Sequence, residues 1–525
     1  MKRLAFILLC LSMALPLLAR GSAETTSDAE KMVINWHGQN PRGFVIQEGT
    51  PIELDIEQAF PGVDLKPVLV DASDQQQIAL QIAAGDVPDF MYGLSGIANN
   101  AREAADQGII RSIEKGWLTE LMGGYIKYLN NNSSAEKAWQ VSQVDGIQYA
   151  IPNISAGNST GHVMGVRDDW LAAVGLSNDL PETLDEFEDM LAKFRNEDPD
   201  GNGRKDQYGY ARWSQSAADR VRMGRAGFPN IFGAFGIRVG TWRKAGSGVE
   251  FTNILPEYRD ALKFLADWWS KDLIDPDSFI MDRTTWEAKY ANNQLGISER
   301  NWTWQRIRAQ SPINAMRKAD PDVKLVYLDP PKGPAGSMAS SYGGATTAGF
   351  FGANASDEMV RKIMAILEWV ETDPDRHWRS RLGPVEPFTM PDGSVFPAYG
   401  KRVSPSEIVR DTEYTNNEAL TKAGCYKYAM HNYRPIEMWS TNLAGEVADV
   451  VNFANTVSLH PDEPFIDWPA DLAGLGADLQ DIEVTFYVKA ITGEIDIDAE
   501  WDSYVKFWKS AGGDKQAAFV KDYLK

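Results

Sequence analysis

Between Met32 and Met91 apolar runs alternate with amphipathic stretches, and this alternation restricts the architecture more than any other feature of the chain. MVINWH (32–37) reads as a strand, PIELDIEQAF (51–60) as a short helix, and Asp64–Val70 as a second strand. DQQQIALQIAA (74–84) reads as a helix with Asp74 at its N-cap and Gly85 closing it. Phe90 and Met91 then begin a third, buried strand. The order β-α-β-α-β predicts a mostly parallel sheet with helical crossovers. Ligands of such sheets bind beyond the carboxyl ends of the strands. This places Trp36, His37, Tyr92, Gly93 and Ser95 to face a cleft.

A second signature lies between Val163 and Ala211. Thr183 and Glu186 form a T-x-x-E capping box behind Pro181. Leu184, Phe187, Leu191 and Phe194 follow at helical spacing, so an amphipathic helix starts here. It runs into DPDGNGRKD (198–206), where Asp198, Asp200, Asn202 and Asp206 stand at alternate positions with the Arg204 carbonyl between them. This is the spacing of the first nine positions of an EF-hand loop, with Gly203 at the sharp turn. Hard oxygen donors suit Ca²⁺, and no His or Cys nearby favours zinc. Position twelve is Gly209 rather than a bidentate Glu, so a further ligand must come from Gln207, another segment or water. The alternative is a solvated turn, because Asp, Asn and Gly all favour turns. An ion here would be structural, tying the helix end to the next strand.

The chain of 525 residues has room for two large lobes. Residues 1–23 have the form of a secretory signal: Lys2 and Arg3, an apolar run from Leu4 to Leu18, and the small residues Gly21, Ser22 and Ala23. The mature protein is therefore expected to be periplasmic or extracellular. Cys425 is then the only cysteine left, so no internal disulfide is expected, and a buried, inert thiol fits best. Removing three basic residues and no acid takes the net charge from −21 to −24. That argues against nucleic-acid partners and anionic membranes. Seventeen Trp is a high count; most are expected in the core, and a surplus suits a surface that stacks on ring-shaped ligands.

Later stretches complete the outline. Asp145-Gly146 marks a tight hairpin turn, and the small polar run 153–162 suits a hinge. Helices are expected at Ala101–Glu114, Pro256–Ser270, Thr284–Ala291, Asp357–Glu371 and Ala499–Ser510. Strands are expected at Lys324–Leu328 and at Gln294–Ser298, the latter delivering Glu299-Arg300-Asn301-Trp302-Thr303-Trp304. Gly157-Asn158-Ser159-Thr160-Gly161 matches G-x-S-x-G but lacks the strand-turn-helix frame of a nucleophile elbow. The five His residues show no metal-ligand spacing.

Seven motifs in order carry a family resemblance: AGDVPD (84–89), DGIQYAIP (145–152), RDDWL (167–171), PETLDEF (181–187), DPDGNGRKD (198–206), DLIDP (272–276), and ITG (491–493) with WDSYV (501–505). Through them the chain resembles the extracellular solute-binding proteins of sugar ABC importers, in the large subgroup of the alginate-oligosaccharide-binding proteins. The resemblance implies an α/β, two-lobed periplasmic-binding-protein fold (type II like), with a ligand cleft between lobes that close by hinge bending. It implies structural Ca²⁺ held by Asp198, Asp200, Asn202, the Arg204 carbonyl, Asp206 and Gln207. It also implies Trp residues that stack sugar rings: Trp302 or Trp304, and Trp439.

The expected organisation is a signal peptide (1–23), an N-terminal lobe (24–153 with 325–372) and a C-terminal lobe (154–324 with 373–525). The function expected is capture of an oligosaccharide, neutral or mildly charged, and its delivery to the transmembrane permease subunits by a monomer that is not an enzyme. Candidate ligand-binding residues are Trp36, His37, Ser95, Arg300, Trp302, Trp304, Tyr342 and Trp439, since rings stack on sugar CH faces and polar groups take the hydroxyls. The competing functions are a secreted glycosidase and a sugar-sensing protein without an importer.

Overall fold

A computed structural model describes residues 31–41, 44–69, 75–92, 101–132, 134–154, 161–213, 227–305, 312–339, 345–404, 407–410, 416–430, 446–459 and 464–524. The expectations for residues 1–23, Ser95, Tyr342 and Trp439, for most of 153–162, and for the Trp304 side chain fall outside the described residues.

The principal strands are β1 (Met32–His37), β2 (Val63–Pro67), β3 (Phe90–Met91), β4 (Ala150–Ile154), β5 (Val163–Arg167), β6 (Ile297–Arg300), β7 (Leu325–Leu328) and β8 (Ala345–Phe351). The helices that matter below are α1 (Pro51–Ala59), α2 (Gln75–Ala83), α3 (Ala101–Asp106), α4 (Leu184–Asn196), α5 (Pro256–Ser270), α6 (Asp357–Thr372), α7 (Pro374–Leu382), α8 (Glu446–Thr456), α9 (Leu475–Ile491) and α10 (Ile497–Trp508).

The first sheet has the order β2-β1-β3-β8-β4. β1 runs parallel to β2 and β3, as the β-α-β-α-β pattern predicts. β8 enters from far along the chain and lies antiparallel between β3 and β4. On β1 the two-residue period puts Ile34 and Trp36 on the face that packs with Ile52 and Ile56 of α1. α6 covers the same core with Val360, Ile363, Met364 and Leu367.

The second sheet, β6-β5-β7, is antiparallel throughout, unlike the mixed first sheet. It packs on α4, whose start is fixed by the expected capping box: Thr183 Oγ1 accepts the Glu186 N–H at 3.3 Å and Glu186 Oε2 accepts the Thr183 N–H at 3.0 Å. Leu184, Phe187, Leu191 and Phe194 of α4 are buried, joined by α5 and by Phe486, Tyr487, Trp501 and Tyr504 of α9 and α10.

The two largest cores among the described residues thus lie one under each sheet. Each element joins the core that completes its ladder or buries its apolar face, and two segments do so across the expected lobe boundaries. β7, expected on the N-terminal side, pairs with β5 in the second sheet. Tyr399, Leu420, Ala423, Cys425 and Tyr428, expected on the C-terminal side, are buried in the first core. Among the described residues no helix is long and apolar enough to cross a membrane.

Candidate functional site

The connections between the sheets fix which of their ends face each other. β4 leaves the first sheet at Ile154 and β5 enters the second at Val163. β7 leaves the second at Leu328, and β8 re-enters the first at Ala345, opposite Ile154. Val163 pairs with Arg300, the last residue of β6, and Met164 with Leu328. The carboxyl ends of β1 to β4 therefore look toward the end of the second sheet that carries Arg300. A third passage leads from the first core at Met430 to α8. Beside these passages Trp302, Val163, Trp378 of α7, and Val450, Val451 and Ala454 of α8 form a small apolar cluster shared by elements of both lobes.

The first-sheet side is built around Lys427. Its side chain is fully buried, with Nζ donating to Val68 O at 3.0 Å and Asn40 Oδ1 at 3.2 Å. Burial pushes its ammonium down to about 8. The Trp36 indole N–H donates to Lys427 O at 2.9 Å. Gly38 lies so close that a Cβ there would sit 1.8 Å from the same oxygen, which only glycine permits. His37 is 1 % exposed, its Nδ1 is 3.2 Å from Tyr92 O, and its Nε2 has no hydrogen-bond partner among the described residues. Burial lowers it to about 4, and the Lys427 charge adds to the effect. Glu53, which accepts from Gly49 N–H and the Tyr428 hydroxyl, is raised to about 7 by burial.

The second-sheet side is a buried polar layer. Glu299 Oε1 accepts the Asn230 N–H at 2.9 Å, while Glu299 O accepts from the Arg212 guanidinium at 3.1 Å. Asn230 Nδ2 donates to His162 O at 3.1 Å. Burial raises Glu299 to about 8, so its carboxyl is mostly protonated at neutral pH. His162 is held well below its ordinary value by burial and then by Arg212 and Arg300. The Arg300 guanidinium lies 5.0 Å from the Trp213 ring centre and 5.6 Å from that of Trp286, cation–π distances.

These placements separate the candidates. His37 and Arg300 stand at the facing ends of the two sheets. Trp36 and Trp302 pack in apolar clusters instead: Trp36 on the α1-facing side of β1 and Trp302 in the cluster shared by both lobes. Sequence reasoning missed Lys427, Arg212, Asn230 and Glu299. The usable signal for Lys427 was a lysine amid Cys425, Tyr426 and Tyr428, a run that otherwise reads as core.

The acidic loop lies apart, after α4. Asp198, at φ +49°, accepts from Asn202 N–H at 3.1 Å and Gly203 N–H at 2.8 Å. Asp200 accepts from Asn202 Nδ2 at 2.9 Å and Gln207 Nε2 at 2.6 Å, and Asp206 from Asn202 Nδ2 at 3.3 Å. The carboxylates thus converge on amide donors, and among the described residues no three His, Cys, Asp or Glu side chains are grouped to hold a metal by themselves. Burial raises the Asp200 carboxyl, and neighbouring Asp198 adds to this against the Asn202 donors. The donor set fits a hard cation: rotating the buried Gln207 amide would replace its nitrogen with Oε1 beside Asp200. Arg195 braces the loop exit, donating to Lys205 O at 2.7 Å and to Asp272 Oδ2 at 2.7 and 2.9 Å, while Tyr208 donates to Asp272 Oδ1 at 3.0 Å.

Comparison with known proteins agrees with this architecture. Residues 55–369 match the family model of the bacterial extracellular solute-binding proteins. Lipoprotein LipO of Bacillus subtilis (strain 168) is 26% identical over 482 residues, covering 87% of this chain and 86% of LipO. The substrate-binding protein FusA of Streptococcus pneumoniae, solved in complex with kestose, superposes with a TM-score of 0.69 at 17% identity over 94% of this chain and 98% of FusA. The alginate-binding protein AlgQ2, solved without calcium ion, gives 0.67 at 16% identity, again over 94% and 98%. The family match spans more than half of the chain, and the chain belongs to the bacterial extracellular solute-binding proteins.

Proposed function

We propose that this protein is the substrate-binding component of an ABC importer, which captures an oligosaccharide between its lobes and presents it to a membrane permease. The observation that supports the reading most is the pair of sheets with facing ends, joined by passages at 154–163, 328–345 and 430–446. A hinge there would let the lobes close on a ligand while each core stays intact. Around the gap stand groups suited to sugar hydroxyls: Arg300, His37, and the Glu299 carboxyl, which is able to donate when protonated. Relatives bearing the names of fructooligosaccharide- and polygalacturonan-binding proteins support a carbohydrate ligand.

In this reading the protein is exported by the cleaved segment 1–23, acts as a monomer and catalyses nothing. Asp198, Asp200, Asn202, the Arg204 carbonyl, Asp206 and Gln207 would hold Ca²⁺ as a clamp between α4 and the following bridge of Tyr208 with Leu295. The ion would neutralise the converging carboxylates and fix the loop. A thermal-shift screen against mono- and oligosaccharides tests the reading, because a bound ligand raises Tm by mass action. Saturable stabilisation by an oligosaccharide supports it. Release of new reducing ends, abolished by one acidic substitution, would replace it with a glycosidase.

A further inference from the structure

The Asp145-Gly146 turn is tied to a residue on the far side of the gap. Asp145 (φ +50°) and Gly146 (φ +77°) form the tight turn between strands Gln143–Val144 and Ile147–Gln148. The turn presents Asp145 to Arg102 of α3, giving a two-pronged pair at 2.7 and 2.9 Å. Both residues belong to the first lobe: Ala104 of α3 packs with Met91, Ala150 and Phe350. The same guanidinium also reaches Asp467, with Nη2 2.6 Å from Oδ2. Asp467 belongs to the other lobe. Its neighbours Ile466 and Trp468 pack on the cluster of Trp242, Phe251 and Trp508, and the Trp468 ring lies 6.5 Å from Trp242 and 5.6 Å from Phe519.

We propose that Arg102 and Asp467 form an interlobe latch, preset by Asp145, that sets the balance between closed and open forms of the protein. This inference rests on the two-lobed binding reading. Arg102 keeps its two bonds to Asp145 within the first lobe whether or not Asp467 is near. When the lobes part, Asp467 leaves with the second lobe and Arg102 keeps both bonds to Asp145. Opening therefore breaks one ion pair and strands no unpaired guanidinium, which keeps the latch weak and reversible. Arg102 and Asp467 are 27 and 29 % exposed, so the pair is open to screening by salt. The latch would make ligand retention depend on ionic strength through a contact that never touches the ligand.

The test is the interlobe distance distribution, read by electron–electron resonance between spin labels on Lys127→Cys and Glu257→Cys. Both sites are exposed, one on each lobe, and Cys425, 0 % exposed, stays unlabelled. Without sugar, Asp467→Asn should raise the open-to-closed ratio by up to about five-fold, the scale of a partly exposed ion pair. Asp467→Glu should stay within about two-fold of wild type, and Lys263→Gln, which breaks a pair within the second lobe, should change nothing. Wild type should open as salt rises from 0.05 to about 1 M; this arm holds even if a variant folds poorly. An unchanged distribution in Asp467→Asn, or no response of wild type to salt, overturns the latch. Loss of all sugar binding in wild type with these shifts intact would refute the carbohydrate reading instead.

Discussion

Trp302 separates two readings of the same residue, because its sequence context points to sugar stacking while its position is interior. Its ring is 1 % exposed and packed among Val163, Trp378, Val450 and Val451. Replacing it with Ala removes the indole from a site that cannot easily collapse, because the surrounding residues come from a sheet and two helices of different lobes. Large-to-small changes of this type cost about 3–5 kcal/mol through lost transfer energy and the cavity left behind. For a domain of about 200 residues that is a fall in Tm of roughly 6–20 °C. Guanidinium unfolding followed by circular dichroism measures the loss, and calorimetry with a bound oligosaccharide measures affinity. The expected result is a large stability loss with affinity changed less than about ten-fold in the remaining folded protein. A variant with wild-type stability and abolished binding would refute the packing argument and restore Trp302 as a stacking platform.

Other predictions follow from the same geometry. Asp200→Ala should reduce stability more than affinity, and EDTA should lower the Tm of wild type but not of this variant; equal EDTA sensitivity in both would argue against the loop as the ion site. Thr183→Ala removes the Oγ1 acceptor at the start of α4 and should cost about 0.5–2 kcal/mol in urea unfolding. His37, lowered to about 4 by burial, resists protonation in the folded state, so stability should fall as pH drops from 6.5 toward 4, by about 3 kcal/mol in full. His37→Gln should flatten that part of the stability–pH curve. Glu53, raised to about 7, acts in the opposite sense: its neutral form is favoured by folding, so its contribution is present below about 4.5 and declines as pH rises to 7. Glu53→Gln should remove that decline.

What the sequence made legible was the locally encoded part. The alternation from Met32 to Met91 gave the parallel half of the first sheet, because each element there carries its own period and stop signal. The capping box at Thr183 was readable for the same reason: both partners lie within one turn. β8 was not, because ATTAGFF has small residues and no alternation, and its place between β3 and β4 depends on strands some two hundred residues or more away. The antiparallel second sheet was hidden similarly, since β6 reaches β5 only after more than a hundred residues.

Of the candidate residues, His37 sits at the carboxyl end of β1, where the strand-end rule puts it. Trp36 lies beside it in sequence, but the two-residue period puts its side chain with Ile34 on the core face. Lys427 escaped notice because a buried lysine is recognised only by the carbonyl and amide that surround its Nζ, here Val68 and Asn40, both remote in sequence. Conversely, the acidic loop was the clearest chemical signal in the chain but lies apart from the facing sheet ends.

The central claim, oligosaccharide capture between the lobes, is tested most directly by isothermal titration of the full mature protein with a panel of neutral and acidic oligosaccharides. The account predicts saturable one-to-one binding of at least one of them, weakened at least ten-fold by Arg300→Ala, with the sugar recovered unchanged. Absence of heat with every oligosaccharide, or recovery of shortened chains, would contradict it.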